Sequence, residues 1–320
     1  MRIETSVTRL LGIDLPIVQA GMSWASSNAA LPLAVSAAGG LGVIAAGPMR
    51  PADLAQAVAT VRAGTERPFA VNLPLYRQGA DEIMAMLLEL RIPVLIASQG
   101  GPKRYLEPFR AIGAVCLHVV ASVEHARKAA DAGVHGLVVV GGEAGGHPPA
   151  ALVSTMVMLR AVARALPEMP LIGSGGFADG AGLAAALALG AGAAQFGTRF
   201  IASPEAGVSL GYKNAVLRAG IEDTRTVGLG FGVIRALSNA FTERMAALER
   251  AGAPENERRA VFAAATLKAA ALDGDVTEGK LEAGQSVGLV DTIEPAGDIV
   301  RQIAAEYLDV AARMPRGAAS

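Results

Sequence analysis

The seven residues GGEAGGH, Gly141 to His147, set one carboxylate and one imidazole inside a run of glycine, in a chain with only four histidines. An imidazole titrates near neutral pH, so His147 can take up or deliver a proton under ordinary conditions. Glycine is costly to order, and a cluster of it marks backbone that approaches something closely or adopts positive φ. Here the approach is expected to serve a ligand. Two more glycine-bearing stretches, GSGGFADG (173–180) and FGTRF (196–200), follow later in the chain. In the first, the N–H groups of Gly173, Gly175 and Gly176 can converge on an anion while Asp179 caps the helix that follows; in the second, Thr198 adds a hydroxyl. Together they predict a phosphate site. In QAGM (19–22), Gly21 lets main chain come close to a bound molecule. Asn72 and Gln195 are polar residues in apolar runs, either satisfied by neighbouring backbone or in contact with a ligand.

The residue types that are missing narrow the chemistry. Only Lys103 lies where a barrel lysine could reach a site, which argues against a Schiff-base enzyme. Glu143 and His147 are four apart but lack the helix that a metal pair of that spacing needs, so no metal site is expected. Cys116 is the single cysteine, which excludes an internal disulfide or a CxxC site and suits a cytoplasmic protein. It opens an apolar run, the wrong end for a nucleophile. His118, His125 and His135 read as structural or solvent-facing. A pocket with many backbone contacts and almost no charge suits a cofactor that carries its own reactivity.

These groups need a scaffold, and the chain supplies one in alternation. Short apolar runs begin at PIVQA (16–20), LGVIAA (41–46), FAVNLPL (69–75), VLIAS (94–98), VCLHVV (115–120), GLVVVG (136–141), PLIGSG (170–175) and AAQFGT (193–198). Each pair is separated by room for one helix. Near-continuous apolar strands joined by helical crossovers indicate a parallel sheet covered on both faces. Eight such units within about 200 residues match a closed (β/α)8 TIM barrel, with a doubly wound open sheet as the alternative. In such a barrel the active site lies at the carboxyl ends of the strands, where the sixth run leads into GGEAGGH and the seventh and eighth lead into the anion loops. Residues 206–285 carry charges at helical spacing without a convincing strand, so an appended helical subdomain is expected there. The barrel then comprises 1–205 completed by 286–316, and the tail after Met314 is expected to fray.

Composition agrees with a compact globular protein of this size. With 52% hydrophobic and 18% charged residues the chain reads as globular, not disordered. Lys+Arg 28 against Asp+Glu 29, with no basic cluster among aromatics, argues against nucleic acid as a partner. Two long uncharged runs, 15–49 and 180–198, could span a bilayer by length, but the first is broken by Pro16, Pro32 and Pro48 with Gln19, Asn28 and several serines and glycines, and no membrane span is expected.

Taken in order, PIVQAGMSW, AVSAAGGLGVIAAG, PFAVNLPL, GGEAGGH, GSGGFADG, ALALGAGAAQFGTRF and AGQSVGLV resemble the nitronate monooxygenase (2-nitropropane dioxygenase) family of FMN-dependent barrels, from about residue 5 to residue 310. The resemblance implies FMN as cofactor, with the backbone of Ala20, Gly21 and Met22 at the flavin edge and Asn72 on the flavin or its ribityl chain. It places Gly145 beside the ring, Ser174, Gly175, Gly176, Gly197 and Thr198 around the phosphate, and Gln195 nearby. His147 matches the family's active-site histidine, the base for the α-proton of a nitroalkane or a positioner of the nitro group. The implied reaction converts a small alkyl nitronate and dioxygen to a carbonyl compound and nitrite. FMN-dependent enoyl-acyl carrier protein reductases and NADH:quinone reductases share these motifs and are the alternative activities. Three features depart from the monooxygenase pattern: Pro148 and Pro149 follow the histidine, ASQGGP closes the fourth run, and Val119 stands where the quinone reductases carry lysine. A non-redox sugar-phosphate enzyme would purify colourless. The helical subdomain could cover the barrel mouth or form a homodimer surface.

Overall fold

The computed structural model describes residues 1–315. Eight parallel strands form the sheet: β1 (Ile17–Gln19), β2 (Gly42–Ala45), β3 (Phe69–Pro74), β4 (Val94–Ser98), β5 (Val115–Val120), β6 (Gly136–Val140), β7 (Leu171–Ser174) and β8 (Ala193–Phe196). Their order, β1-β8-β7-β6-β5-β4-β3-β2, places β1 and β2 at the two ends of one curved sheet. The ends meet, because Val18 pairs with Leu41 in a parallel bridge. Gln19 seals the seam further: its amide oxygen accepts the Val43 N–H at 2.9 Å and its amide nitrogen donates to the Val43 carbonyl at 3.2 Å. A buried side chain thus imitates one more strand pairing.

Alternation along each strand divides the apolar residues into two layers. Val18, Val43, Ala70, Ile96, Leu117, Val138, Ile172 and Ala193 fill the barrel interior. Ile17, Ile44, Val71, Leu95, Cys116, Leu137, Leu171 and Ala194 face the helices outside. The eight runs expected from sequence correspond to the eight strands, and the doubly wound alternative does not occur.

The helix Ala296–Arg313 returns from beyond the barrel and packs against Gly180–Ala188 and Ala30–Ala37, filling the eighth helical position. Contact with the first of these needs glycine, since a Cβ on Gly180 would stand 2.2 Å from the Tyr307 nitrogen. Asp179 caps that same helix as expected, accepting the Gly182 N–H at 2.7 Å.

The segment 206–285 is not purely helical. It contains an antiparallel hairpin of β9 (Thr224–Val227) and β10 (Ile234–Leu237), beside the helices Leu210–Arg218, Ala240–Arg250 and Glu255–Ala264. Each strand is only four residues long, and β10 buries Arg235, so neither shows a clean apolar signature. Among the described residues no helix is long and apolar enough to cross a membrane. The tail expected to fray lies, from residue 316 on, outside the described residues.

Candidate functional site

The carboxyl ends of the strands open into a cavity of 1710 Å³, larger than the roughly 300–1,000 Å³ of ordinary ligand pockets. Every site residue expected from sequence reaches its wall: Ala20, Gly21 and Met22 after β1, Asn72 in β3, and Gly145 and His147 after β6. So do Ser174, Gly175 and Gly176 at the end of β7, and Gln195, Gly197 and Thr198 at β8.

The glycines before His147 approach the protein's own chain closely. A Cβ on Gly141 would stand 2.3 Å from the Thr155 Cα, and one on Gly142 2.5 Å from the Leu152 carbonyl oxygen. At Gly145 it would meet the Ala283 carbonyl carbon at 2.5 Å and the Gly284 nitrogen at 2.6 Å. The loop is therefore wedged between the start of helix Thr155–Ala165 and a strap, residues 280–286, that returns from the hairpin region. Glu143 fixes one side, its Oε2 accepting both the N–H and the hydroxyl of Thr155 at 2.7 Å. Its carbonyl accepts the Gln285 N–H at 3.0 Å.

Arg235 fixes the other side. Gly146 and Arg235 exchange backbone hydrogen bonds of 2.7 and 3.1 Å, and the guanidinium donates to the Gly142 carbonyl from Nη2 at 2.8 Å and from Nε at 3.2 Å. A third bond reaches Thr224 Oγ1 at 3.1 Å. Burial lowers the pKa of this guanidinium, with Glu143 opposing, yet arginine stays charged. Arg235→Met should therefore destabilise the fold by roughly 2–4 kcal/mol, since a buried carbonyl loses a charged partner. Denaturant midpoints read this directly, and Arg235→Lys should recover only part because one ammonium cannot fork. His147 itself is exposed on the cavity wall, between the pinned Gly146 and the buried Pro148 and Pro149.

The anion rim is narrower than expected. Gly173 serves packing, because a Cβ there would lie 2.9 Å from Leu159 Cδ2 and 3.2 Å from the Phe177 ring. Gly175 and Gly176 adopt φ of 110° and 81°, a conformation that only glycine adopts freely. Among the described residues the N–H groups of Gly175, Gly176 and Gly197 find no protein acceptor. Buried or half-buried N–H groups are rarely left so. Thr198 Oγ1 accepts the Gly284 N–H at 2.9 Å, leaving its own hydrogen to donate. Gln195 donates to Ser174 Oγ at 2.9 Å, tying the ends of β7 and β8. Asn72 donates to the Ile96 carbonyl at 3.1 Å, so half of its amide is satisfied by backbone. Gly21 is small because of Asn72, whose Cβ would lie 2.5 Å from a Cβ at position 21.

The other histidines take structural or exposed places, though His118 also reaches the cavity wall. His118 Nδ1 lies 2.8 Å from the Tyr105 hydroxyl, and His135 Nδ1 accepts the Cys116 N–H at 2.9 Å. Burial lowers the pKa of both rings. It pushes the Cys116 thiol up to about 11, so that sulfur is inert. Among the described residues no cluster of His, Cys, Asp or Glu could hold a metal. Sequence reading missed Lys280, Glu282 and Tyr212, which line the far side of the cavity. The one signal near them is AGQSVG, whose Ala283 and Gly284 form the strap.

The sequence matches the family described as Nitronate monooxygenase over residues 4–89 and 78–306. It is 32% identical to a 5-hydroxy-7a-methyl-1-oxo-octahydro-1H-indene-4-carboxyl-CoA dehydrogenase of Mycobacterium tuberculosis, covering 95% of this chain and 96% of that one. Similarity to a Nitronate monooxygenase of Paraburkholderia phytofirmans is also 32%, over 93% of each chain. Among solved structures, FabK from Thermotoga maritima superimposes with a TM-score of 0.91 at 37% identity, over 98% of both chains. The nitroalkane oxidase from Streptomyces ansochromogenes gives 0.84 at 29%, over 97% of this chain and 100% of that one.

Proposed function

The chain belongs to the nitronate monooxygenase family of oxidoreductases, and from that premise we propose that it is an FMN-dependent enzyme that reduces an enoyl thioester with NAD(P)H. The observation that carries the thioester is the cavity. At 1710 Å³ it exceeds what a small nitronate beside a cofactor would fill. Arg77, Lys128, Lys268 and Lys280 line it against one carboxylate, Glu282, which suits an extended, phosphorylated handle such as that of coenzyme A. The relative named as a carboxyl-CoA dehydrogenase supports the same class.

The donors at the rim fit an FMN phosphate: the unpaired N–H groups of Gly175, Gly176 and Gly197 and the Thr198 hydroxyl. Asn72, Gln195 and the backbone of Ala20 to Met22 would border the ring system, with Ser174 near the phosphate and Gly145 on the opposite wall. Bound FMN would carry the two electrons between NAD(P)H and the enoyl carbon. The chain's own part is the proton. His147 would deliver it to the carbon next to the thioester carbonyl, held in place by the pinned Gly146 and by Pro148 and Pro149. The strap and hairpin border the cavity on that side.

A second reading keeps the same histidine and runs it as a base: oxidation of small alkyl nitronates with dioxygen to a carbonyl compound and nitrite. The names of the Paraburkholderia and Streptomyces proteins support it. The purified protein should be yellow, and the cofactor released by heat should run as FMN. Anaerobic mixing with NADPH or NADH should bleach the flavin within one turnover, and an enoyl-CoA should restore the colour. No bleaching, together with oxygen uptake on a preformed nitronate, would replace the reductase with the monooxygenase.

A further inference from the structure

We propose that the cavity wall built by the hairpin turn, helix Glu255–Ala264 and the strap is a subsite for an adenosine phosphate, with Phe231 receiving the base and Lys280 the phosphate on the ribose. The proposal rests on the reductase reading above, since NADPH and a coenzyme A thioester both end in an adenosine that carries such a phosphate, on the 2′ or the 3′ oxygen. Three phenylalanines form the ground of this wall. Phe262 stands edge-on to Phe231 with ring centres 5.4 Å apart, and is tilted against Phe241 at 6.1 Å.

Phe231 lies in the turn between β9 and β10, half-buried on the cavity wall. The turn is fixed from behind. Glu249 Oε1 accepts the N–H groups of Gly228 and Leu229 at 2.7 and 2.9 Å, and Arg258 donates to the Leu229 carbonyl at 2.9 Å. Gly228 lets the turn lie against Phe262, since a Cβ there would stand 2.8 Å from that ring. The guanidinium groups of Arg259 and Arg258 lie 4.7 and 5.5 Å from the centre of the Phe231 ring, yet neither arginine lines the cavity, whereas Phe231 does. The cations therefore back the ring from outside, and its cavity side is a platform on which a flat base can stack.

Lys280 supplies the charge. Its amine lies 3.5 Å from the centre of the Phe262 ring and 5.9 Å from that of Phe241, a cation–π seat on the same wall. Among the described residues Lys128 and Lys213 donate hydrogen bonds from their amines, whereas Lys280 makes neither a hydrogen bond nor an ion pair. The carboxylates nearby are engaged elsewhere: Glu249 on the turn, Glu255 on Arg259 and Glu278 on Arg244. Glu282 points its Oε2 toward the loop before His147, 3.1 Å from where a Cβ on Gly146 would stand. An ammonium seated on a ring without a counter-ion suits a phosphate, which lysine binds as a point charge. Thr266 lies alongside, its carbonyl accepting the Lys280 N–H at 3.1 Å, and its hydroxyl accepts the Ala269 N–H at 3.0 Å and keeps its own hydrogen to donate. Because Phe262 touches both partners, platform and amine are no farther apart than 5.4 and 3.5 Å laid end to end, the scale of one nucleoside.

The test is isothermal titration of the full-length, flavin-loaded protein with adenosine 2′,5′-bisphosphate, adenosine 3′,5′-bisphosphate and AMP. One bisphosphate should bind roughly tenfold or more tightly than AMP, the gain of a charge-assisted contact. Preference for the 2′ form names NADPH as the source, and preference for the 3′ form names coenzyme A. In Lys280→Met, which keeps an apolar stem on Phe262, that gain should vanish while AMP binds as before; Lys280→Gln is the second variant where the first melts lower. Phe231→Leu, which keeps an apolar side chain against Phe262, should weaken all three probes together by roughly fivefold or more. The proposal is overturned by a parent protein that binds neither bisphosphate or does not prefer one to AMP, by a preference that survives the loss of the Lys280 charge, or by Phe231→Leu with all three affinities intact. The reductase reading fails separately. Flavin bleached by NADPH and recoloured by an enoyl-CoA, with the probes indifferent to both substitutions, removes the subsite and keeps the reductase. Lys280-dependent binding in a protein whose flavin neither NADPH nor NADH bleaches keeps the subsite and removes the reductase.

Discussion

If His147 moves the proton as proposed, changing it to Asn should lower kcat on the carbon substrate by roughly 100- to 10,000-fold, the usual contribution of a positioned acid or base, while flavin content and melting temperature should stay as they were. The expectation of an intact fold comes from the surroundings of the ring. His147 is exposed on the cavity wall, and the loop around it is held by other groups: Glu143 on Thr155, Arg235 on Gly142, and the exchange of backbone bonds between Gly146 and Arg235. None of these passes through the imidazole. Asn keeps a polar group of similar reach but cannot accept a proton and hold it as a charge. Steady-state turnover read beside the flavin-to-protein absorbance ratio separates the two effects. With a preformed nitronate, which has already lost its α-proton, much of any oxidase activity should survive the same change. A loss below threefold on the protonated substrate would take His147 out of the reaction.

Gly145→Ala should be nearly as damaging by a different route. The new methyl would stand 2.5 Å from the Ala283 carbonyl carbon and 2.6 Å from the Gly284 nitrogen, and both are backbone that cannot rotate aside. Either the loop or the strap must move. Overpacking of this kind costs about 1–3 kcal/mol, which for a chain above 250 residues is a fall in Tm of several degrees. The larger effect should be on the site. Gly284 N–H donates to Thr198 and Gln285 N–H to the Glu143 carbonyl, so displacing the strap loosens one rim of the cavity together with the loop that carries His147. Flavin retention on gel filtration and Tm should drop together, and a protein that keeps both would show that the contact yields without consequence.

The barrel was legible in the sequence because a parallel strand buried on both faces must be apolar throughout, and VLIAS or GLVVV admits little else. The anion rim was partly legible, since positive φ at Gly175 and Gly176 demands glycine. What the other glycines approach was not. Gly21 and Gly145 read alike on paper, yet one makes room for Asn72 and the other for a strap from far along the chain. The hairpin β9–β10 escaped because its strands hold Arg225 and Arg235 and are shorter than the turn between them, GLGFGV. Glu282 escaped for a related reason. Nothing in KLEAGQ reveals that Tyr212, the hairpin and the loop after β6 meet the strap there. Local pattern records what a residue needs from its neighbours in sequence, and these residues depend on neighbours in space.

The strap is joined by hydrogen bonds to Glu143 and Thr198 on one side and to β10 on the other. The loops 76–78 and 99–102, on the opposite margin, share no hydrogen bond with residues 206–285 among the described residues. Tyr76 is 70% exposed there, and Gln99 and Gly100 hold φ of 54° and 154°. Among the described residues, a molecule reaching the cavity from that margin would meet fewer ties to displace than from the side the strap holds.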